Sequence, residues 1–154
     1  MAVRFATPND VPAMVDLGQR MHAITRFHTF TYDRQRVDAA LRAAVGNSNG
    51  RYVTLVAENS RQQIVGLLLA VLEQHIFSDQ LVASIMHYDV LPEARMGGWG
   101  VRLLRAFEQW AANRQVLEIS FGINSGDGHE TVGRFATRMG FVKVGELSVK
   151  TRNQ

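Results

Sequence analysis

The residues with the clearest capacity for ligand chemistry form a glycine-rich turn, Arg95-Met96-Gly97-Gly98-Trp99-Gly100. The turn lies between a predicted strand, which Pro92 ends, and a predicted amphipathic helix. A helix N-terminus has unpaired N–H groups and partial positive charge, so this junction suits an anion. Glycines let a phosphate approach the backbone, and Arg95 adds a permanent cation. From these residues alone, a phosphate site and a turn built only for its geometry are equally open.

Two familiar phosphate-binding loops are excluded by the residues around the turn. No Gly-Lys-Ser/Thr sequence follows the glycines, which excludes a Walker loop. No parallel strand-helix-strand unit is predicted around them, which excludes a dinucleotide-binding fingerprint. The pattern that remains is a strand, then Val-x-Pro-Glu, then Arg-x-x-Gly-x-Gly.

The elements that position this turn are predicted in the order β-α-α-β-β-β-α-β-α-β. Strands follow from runs rich in Val, Ile and Leu, and helices from apolar residues that recur every three to four positions. The strands cover residues 3–6, 52–58, 64–73, 81–90, 116–123 and 141–149. The helices follow a capping box at residues 7–10, Asp33, and the glycine turn, and the last covers residues 130–139. We predict an α/β fold with α+β character, in which helices flank a twisted, mixed, mostly antiparallel sheet.

The composition predicts one folded domain over residues 1–154, with 46% of residues hydrophobic and 20% charged. A net charge of +3 without a clustered basic stripe argues against nucleic acid as a partner. The lack of cysteine excludes disulfides and an acyl-cysteine intermediate, and five scattered histidines give little support to a metal site. The longest apolar run, residues 64–72, has the length of a strand, so we expect a cytoplasmic protein without a membrane anchor.

Residues 90–104 resemble the GNAT superfamily of N-acetyltransferases. The resemblance is carried by Val90-Leu91-Pro92-Glu93-Ala94-Arg95-Met96-Gly97-Gly98-Trp99-Gly100 and by the helix Val101-Arg102-Leu103-Leu104. A second signature of that family, a helix ending in Gly-Phe, is matched by Arg134-Phe135-Ala136-Thr137-Arg138-Met139-Gly140-Phe141. The predicted element order fits the family over nearly the whole chain. The resemblance therefore implies a GNAT-like fold and acetyl-coenzyme A as the acetyl donor.

The resemblance also implies where the donor binds. Main-chain amides of the turn hold the pyrophosphate, and the pantetheine arm lies along residues 88–91, on a strand splayed from residues 118–123. The main-chain N–H of Val90 is expected to polarise the thioester carbonyl. The full set of implied cofactor contacts is Asp89, Val90, Leu91, Arg95, Met96, Gly97, Gly98, Trp99, Gly100, Val101, Asn124, His129 and Phe135.

Two positions depart from the family pattern and leave the proton transfers open. The family often has a tyrosine four residues before the glycine of Gly-Phe, where this chain has Ala136. It often has an asparagine near the start of the same helix, where the matching residue is His129. His129 as a proton shuttle and Ser125 as a relay through water are catalytic candidates, and plain loop or turn roles are open for both.

Tyr88 is the first candidate for the acid that protonates the leaving thiolate. Alternation along the strand puts Tyr88 and Ser84 on the side of Val90, and it puts Asp89 on the other side. The alternative for Tyr88 is an aromatic ring packed against a helix, with its hydroxyl at the surface.

By the resemblance, residues 22–32 lie at the position where the family usually forms one side of its acceptor site. Their aromatic and imidazole side chains would form a pocket for the acceptor, and His75 would line the same cleft. The predicted acceptor-binding residues are His22, Phe27, His28, Phe30, Tyr32 and His75. A surface loop whose aromatic residues pack on the core is the open alternative.

These inferences predict an enzyme that moves an acetyl group from acetyl-coenzyme A to a primary amine of a small molecule or peptide. The amine would attack directly in a ternary complex. Ala136 motivates a second hypothesis, a catalytically weak module that binds or senses acetyl-coenzyme A. A homodimer is a further expectation, which rests on the resemblance alone.

Overall fold

The computed structural model of the chain describes residues 2–47, 50–122, 126 and 129–152, with His129 described by its backbone. The chain falls into two compact units, Met1–Gly122 and Ile123–Gln154, which we call the N-terminal and the C-terminal unit. One domain over residues 1–154 stays a prediction. Within the described ranges, the helices are too short or too polar to cross a membrane.

A five-stranded sheet organises the N-terminal unit. Its strands, in their spatial order, are β1 (Ala2–Phe5), β2 (Tyr52–Glu58), β3 (Ile64–Glu73), β4 (Val82–Val90) and β5 (Glu118–Phe121). Neighbouring strands pair antiparallel except β4 and β5, which are parallel. The mixed, mostly antiparallel sheet is confirmed, and the hairpin of β2 and β3 has the predicted bounds.

Two helices, α1 (Val11–Ala23) and α2 (Arg34–Gly46), cover one face of this sheet. Both follow the predicted N-terminal caps, because a carboxylate accepts a hydrogen bond from a main-chain N–H at each start. The apolar sides of the two helices form a buried cluster with Leu67 and Leu69 of β3. This shared cluster fixes the face on which these two strand residues lie.

A third helix, α3 (Trp99–Asn113), packs on the opposite face of the sheet. It connects the parallel strands β4 and β5, so the expectation that no parallel strand-helix-strand unit surrounds the glycine turn is wrong. A Cβ added to Gly66 of β3 would lie 3.2 Å from Leu103 Cδ1, so this glycine lets α3 approach closely. Because Gly66 and Leu67 are neighbours on one strand, they point to opposite faces. Leu103 is buried, whereas Val101 is half-buried. The buried side chains of α3 are Trp99, Leu103, Leu104, Phe107, Trp110 and Ala111.

A β-bulge interrupts the pairing of β4 with β3. Leu69 pairs with His87, whereas the next residue of β3, Ala70, pairs with Ile85. Met86 is therefore a surplus residue in β4. A bulge of this kind bends the strand and increases its local twist.

The bulge corrects one expectation from the sequence. Simple alternation put Ser84 on the side of Val90, but the surplus Met86 shifts the alternation by one residue. Ser84 pairs with Val71 and therefore lies on the face of α1 and α2, together with Asp89. The prediction for Ser84 is wrong for this reason.

The C-terminal unit contains the helix α4 (His129–Arg138). As the Gly-Phe pattern predicted, the helix is closed by Gly140, whose φ of 93° favours glycine. The N–H of Phe141 donates to the carbonyl of Ala136 at 3.0 Å, which satisfies a carbonyl at the helix end.

The predicted strand over residues 141–149 is wrong. Residues 141–150 form neither helix nor strand in the described part of this unit. Alternating apolar residues predict a strand only where a neighbouring strand supplies hydrogen-bond partners. The apolar side chains of this segment are exposed, at Val142, Val144, Leu147 and Val149.

We expect a network around Arg4 to make the N-terminal unit sensitive to acid. The Arg4 guanidinium donates to Asp10 at 2.8 and 3.0 Å and to Glu58 at 2.9 Å. The hydrogen bonds from Arg4 hold the pKa of Asp10 below its ordinary value. A carboxylate with a lowered pKa stabilises the fold above its unfolded pKa, and this contribution is lost as the pH falls through the folded value.

Urea unfolding of Asp10→Asn at pH 7 should give a free energy of unfolding lower than wild type by about 1.5 to 3 kcal/mol. Below about pH 4 the variant should lose less stability than wild type. Asp79→Asn, in the exposed loop between β3 and β4, is the matched control and should change the free energy by less than about 0.5 kcal/mol. Equal losses in acid for wild type and Asp10→Asn would contradict this assignment.

Candidate functional site

The glycine-rich turn is a short 3₁₀ helix, Pro92–Gly97, that leads into α3. Gly98 joins the two helices with a φ of 74°, a left-handed conformation that favours glycine. A Cβ added at Gly97 would lie 2.9 Å from Trp99 Nε1, so a larger residue would displace the indole. The geometry of the turn therefore requires glycine at both positions.

The turn presents main-chain donors at the N-terminus of α3. The first helical hydrogen bond runs from the Arg102 N–H to the Gly98 carbonyl at 3.2 Å. The N–H groups of Trp99, Gly100 and Val101 consequently have no acceptor within the helix. The helix is 15 residues long, so this end has partial positive charge and suits an anion.

Two arginines lie at the turn. Nε of Arg95 donates to the Val90 carbonyl at 3.2 Å, and the Arg102 guanidinium lies 4.5 Å from the centre of the Trp99 ring. Met96 is 99% exposed, whereas Trp99 is 5% exposed. The Trp99 indole therefore packs in the core, and the main-chain N–H is the group of Trp99 that faces a ligand on the turn.

The register of β4 sets the direction of the Val90 N–H. Leu91 donates its N–H to the carbonyl of Val65 in β3 at 2.8 Å. Because hydrogen-bonding directions alternate along a strand, the Val90 N–H points away from β3, toward the side of β5. Among the residues that the structure describes, the pairing with β5 ends at Ile85 and Phe121. Val90 lies beyond the end of that ladder.

Tyr88 reaches from β4 to the start of α3. Its hydroxyl donates a hydrogen bond to the Gly100 carbonyl, and its ring centre lies 5.5 Å from that of Phe121. Burial raises the pKa of the Tyr88 phenol above its ordinary value, so the hydroxyl is protonated at neutral pH. Tyr88 lies on the face of α3, and its proton is directed at a main-chain carbonyl.

Asp89 places a carboxyl group next to Val90, on the face of α1 and α2. It pairs with Leu67, which belongs to the buried cluster of that face. Burial raises the pKa of the Asp89 carboxyl, and the nearby charges of His87 and Arg95 oppose this rise. The sequence assigned Asp89 only a place along the pantetheine arm, because nothing in the local pattern indicates that this side chain is buried.

A two-point ion pair joins α1 to the turn. The Arg20 guanidinium donates to both carboxylate oxygens of Glu93 at 2.8 and 2.9 Å, which lowers the pKa of Glu93 to about 2. Both side chains are exposed, so the pair adds little stability. It does place the last turn of α1, and with it the start of residues 22–32, beside the start of Pro92–Gly97. No sequence pattern pointed to this contact.

Two predicted acceptor residues, His22 and Tyr32, lie together, with ring centres 5.3 Å apart. The Tyr32 hydroxyl donates to the Val15 carbonyl of α1 at 2.8 Å. Nε2 of His22 is buried, and no described residue provides its hydrogen-bond partner. A Cβ added at Gly18 would lie 2.7 Å from Tyr32 Oη, so this glycine makes room for the hydroxyl. No role for Gly18 was predicted from the sequence.

Three further acceptor candidates lie on or next to a short 3₁₀ helix, Arg26–Thr29. The ring centres of Phe27 and Phe30 are 6.3 Å apart, and Phe30 is 60% exposed. Nδ1 of His28 lies 2.8 Å from the Thr25 carbonyl oxygen, which ties the imidazole to the backbone. This segment thus presents an aromatic surface directly after α1.

His75 occupies a different place, the loop between β3 and β4. Its ring stacks on Phe77 with centres 5.0 Å apart, and Phe77 is 81% exposed. Its assignment to the acceptor site stays a prediction.

The remaining candidates belong to the C-terminal unit. Asn124 and Ser125 lie outside the described residues, as does the side chain of His129. Phe135 is half-buried, and Ala136 is buried. Over the described ranges, no group of three or more His, Cys, Asp or Glu side chains is arranged to hold a metal ion.

The sequence model of the Acetyltransferase (GNAT) family matches residues 19–141. This range contains the glycine-rich turn, β4 and the Gly140-Phe141 step. No curated protein matches the chain.

Several solved structures share the fold. A variant of the BH1408 protein from Bacillus halodurans is 20% identical, with a TM-score of 0.80 over 99% of this chain and 100% of that one. The aminoglycoside antibiotic 6'-N-acetyltransferase AAC(6')-Ih from Acinetobacter baumannii is 16% identical, with a TM-score of 0.74 over 99% and 98%. An aminoglycoside acetyltransferase, HMB0005, from an uncultured soil metagenomic sample is 19% identical, with a TM-score of 0.75 over 98% of each chain. Identities this low show a common fold.

A double-mutant cycle tests the fit of Tyr32 against Gly18. Alanine gains about 1 kcal/mol over glycine inside a helix, but here its methyl group would meet Tyr32 Oη. Gly18→Ala should leave the free energy of unfolding unchanged or lower it. In a Tyr32→Phe background, which lacks Oη, the same change should raise it by about 1 kcal/mol. Urea unfolding measures this coupling, and an equal effect of Gly18→Ala in both backgrounds would show that Oη does not fill this space.

Proposed function

The chain belongs to the acetyltransferase (GNAT) family, and we propose that it transfers an acetyl group from acetyl-coenzyme A to a primary amine of a small molecule or peptide. One observation carries the proposal. The strand β4 ends with the Val90 N–H directed away from β3, and the main-chain donors at the start of α3 follow within the same turn. Members of this family typically use acetyl-coenzyme A, whose thioester and pyrophosphate match these two groups of donors.

The turn fits a pyrophosphate. The N–H groups of Trp99, Gly100 and Val101 are free of helical partners, and Gly98 has no atom within 4 Å of an added Cβ. We expect the pyrophosphate to accept hydrogen bonds from these amides, with Arg95 and Arg102 adding positive charge. When bound, acetyl-coenzyme A supplies an activated acetyl thioester.

We assign the Val90 N–H the role of polarising the thioester carbonyl. The acyl oxygen gains negative charge when an amine attacks, and a fixed main-chain donor stabilises that charge without reorganising. The Arg95 side chain donates a hydrogen bond to the Val90 carbonyl, which helps to hold the Val90 main chain in place.

We assign Asp89 the role of taking the proton from the attacking ammonium group. An amine attacks only after it has lost a proton, and a carboxylate with a raised pKa is a stronger base than an exposed one. Asp89 lies on the face of α1 and α2, whereas Tyr88 lies on the face of α3. The acceptor would therefore approach from the side of α1, the helix that leads into residues 22–32.

The departing thiolate needs a proton, for which we propose solvent water as the source. Ala136 has none to give, and Tyr88 directs its proton to the Gly100 carbonyl. Roles for Ser125 and His129 stay predictions. Since the chain has no cysteine to carry the acetyl group, we propose direct attack in a ternary complex.

The acceptor is a small-molecule or peptide amine in this proposal. The ion pair of Arg20 and Glu93 supports an acceptor site at residues 22–32, because it brings this segment beside the donor turn. Two of the similar solved structures are aminoglycoside acetyltransferases, which is consistent with a small-molecule amine. A homodimer and a cytoplasmic location stay predictions.

A second candidate function is a catalytically weak module that binds or senses acetyl-coenzyme A. The buried methyl group of Ala136, at the position where the family often has a tyrosine, favours it. The two functions share the donor site and differ in turnover, so a broad panel of amines separates them.

Calorimetry with coenzyme A tests the donor site. Wild type should bind, and Gly98→Val should weaken binding by about tenfold, because a β-branched residue is strained at a φ of 74°. Gly46→Val is the matched control: it makes the same change at the end of α2, also with no atom within 4 Å of the Cβ, and should leave the affinity unchanged. Absence of wild-type binding at about millimolar coenzyme A would overturn the donor assignment.

Steady-state kinetics against pH test Asp89. The base must be ionised to accept a proton, so kcat should rise with pH through a pKa above the ordinary carboxyl value of 3.8. Asp89→Asn should lower kcat by about a hundredfold or more and remove this rise. Asp79→Asn should match wild type. A higher KM with an unchanged kcat would show instead that Asp89 only binds the amine.

A further inference from the structure

We propose that Tyr88 is a positioning residue that holds the coenzyme A turn in its binding shape. The inference rests on the proposed function, since it assigns Tyr88 a part in the donor site. The Tyr88 hydroxyl donates a hydrogen bond to the Gly100 carbonyl.

The glycines of the turn have no side chains that could hold it in place. Three of the residues at positions 97–100 are glycine, the residue that loses most conformational freedom when it is ordered. A cradle that is disordered before it binds a ligand weakens affinity by the free energy of ordering it. Trp99 anchors the turn in the core, and further order must come from side chains outside the glycine run.

Tyr88 is placed to supply this order. Gly100 is the second residue of α3, so a bond to its carbonyl fixes the first turn of the helix relative to β4. The ring is braced by Phe121 at the end of β5. A Cβ at Gly100 would lie 3.5 Å from the Tyr88 hydroxyl, an ordinary contact distance. One side chain thus connects β5, β4 and the N-terminus of α3.

The same bond acts on the donor that faces the phosphate. The Gly100 carbonyl and the Val101 N–H belong to one peptide group. A hydrogen bond accepted at the carbonyl polarises that group and strengthens its N–H as a donor. Val101 is one of the expected pyrophosphate contacts. Tyr88 therefore contributes to phosphate binding without touching the ligand.

Tyr88→Phe removes the hydroxyl and keeps the ring on Phe121. In calorimetry it should weaken coenzyme A binding by roughly three- to tenfold. Saturating acetyl-coenzyme A should restore kcat to within about twofold of wild type, and the pH profile of kcat should be unchanged, because no proton transfer is lost. Amide hydrogen exchange measured by mass spectrometry should be faster at residues 98–102 in the unliganded variant.

Tyr52→Phe is the matched control for coenzyme A affinity. It also removes a tyrosine hydroxyl, from β2, where the ring packs against the buried cluster of α1 and α2, outside the turn. It should leave the dissociation constant for coenzyme A unchanged. Equal affinity losses in the two variants would reduce the effect to general stability and overturn the proposal.

Two other results would also overturn it. If wild type binds coenzyme A and Tyr88→Phe binds equally well with unchanged exchange at residues 98–102, the bond does not order the turn. If Tyr88→Phe loses kcat at saturating donor together with the alkaline limb of the pH profile, Tyr88 is the acid. If wild type itself fails to bind coenzyme A, the donor assignment fails, and this inference fails with it.

Discussion

The register of β4 is the constraint on which the candidate site depends. In a strand, each N–H group points toward one or the other neighbouring strand, and each side chain points to one or the other face of the sheet. β4 uses all four of these directions. The Leu91 N–H binds β3, the Val90 N–H points the other way, Tyr88 lies on the face of α3, and Asp89 lies on the face of α1 and α2. A slip of one residue would exchange all four assignments at once.

The packing of α3 complements this register. Gly66 lets the helix approach the sheet, and the Leu103 side chain fills the space that a larger residue would take. Close packing fixes the height of the helix N-terminus above the strand, and its dipole then acts at a fixed distance from Val90. The electrostatics of the donor site therefore follow from the core of the N-terminal unit.

The sequence predicted what is local or periodic. The hairpin of β2 and β3, the helix caps and the glycine turn each depend on residues that are close together in the chain. Contacts between distant residues could not be predicted: Arg20 and Glu93, for example, are 73 positions apart. The β-bulge at Met86 could not be predicted either, because no residue type at this position indicates one. The prediction of a strand at residues 141–149 was wrong for a related reason. Alternating apolar residues indicate that a segment is suited to a sheet, but they do not show whether a neighbouring strand is present to pair with it.

The bulge at Met86 shows that one extra residue is enough to change the spacing between β4 and a neighbouring strand. Inserting one residue into a regular ladder ordinarily reverses every side chain that follows, but a bulge confines the disturbance to a single position. Here the disturbance falls directly after the last described pair of β4 with β5, so the strand bends where its neighbour ends. Insertion or deletion of one residue in β4 can therefore widen or narrow the space beside this strand during evolution, without replacing any residue that would bind a ligand.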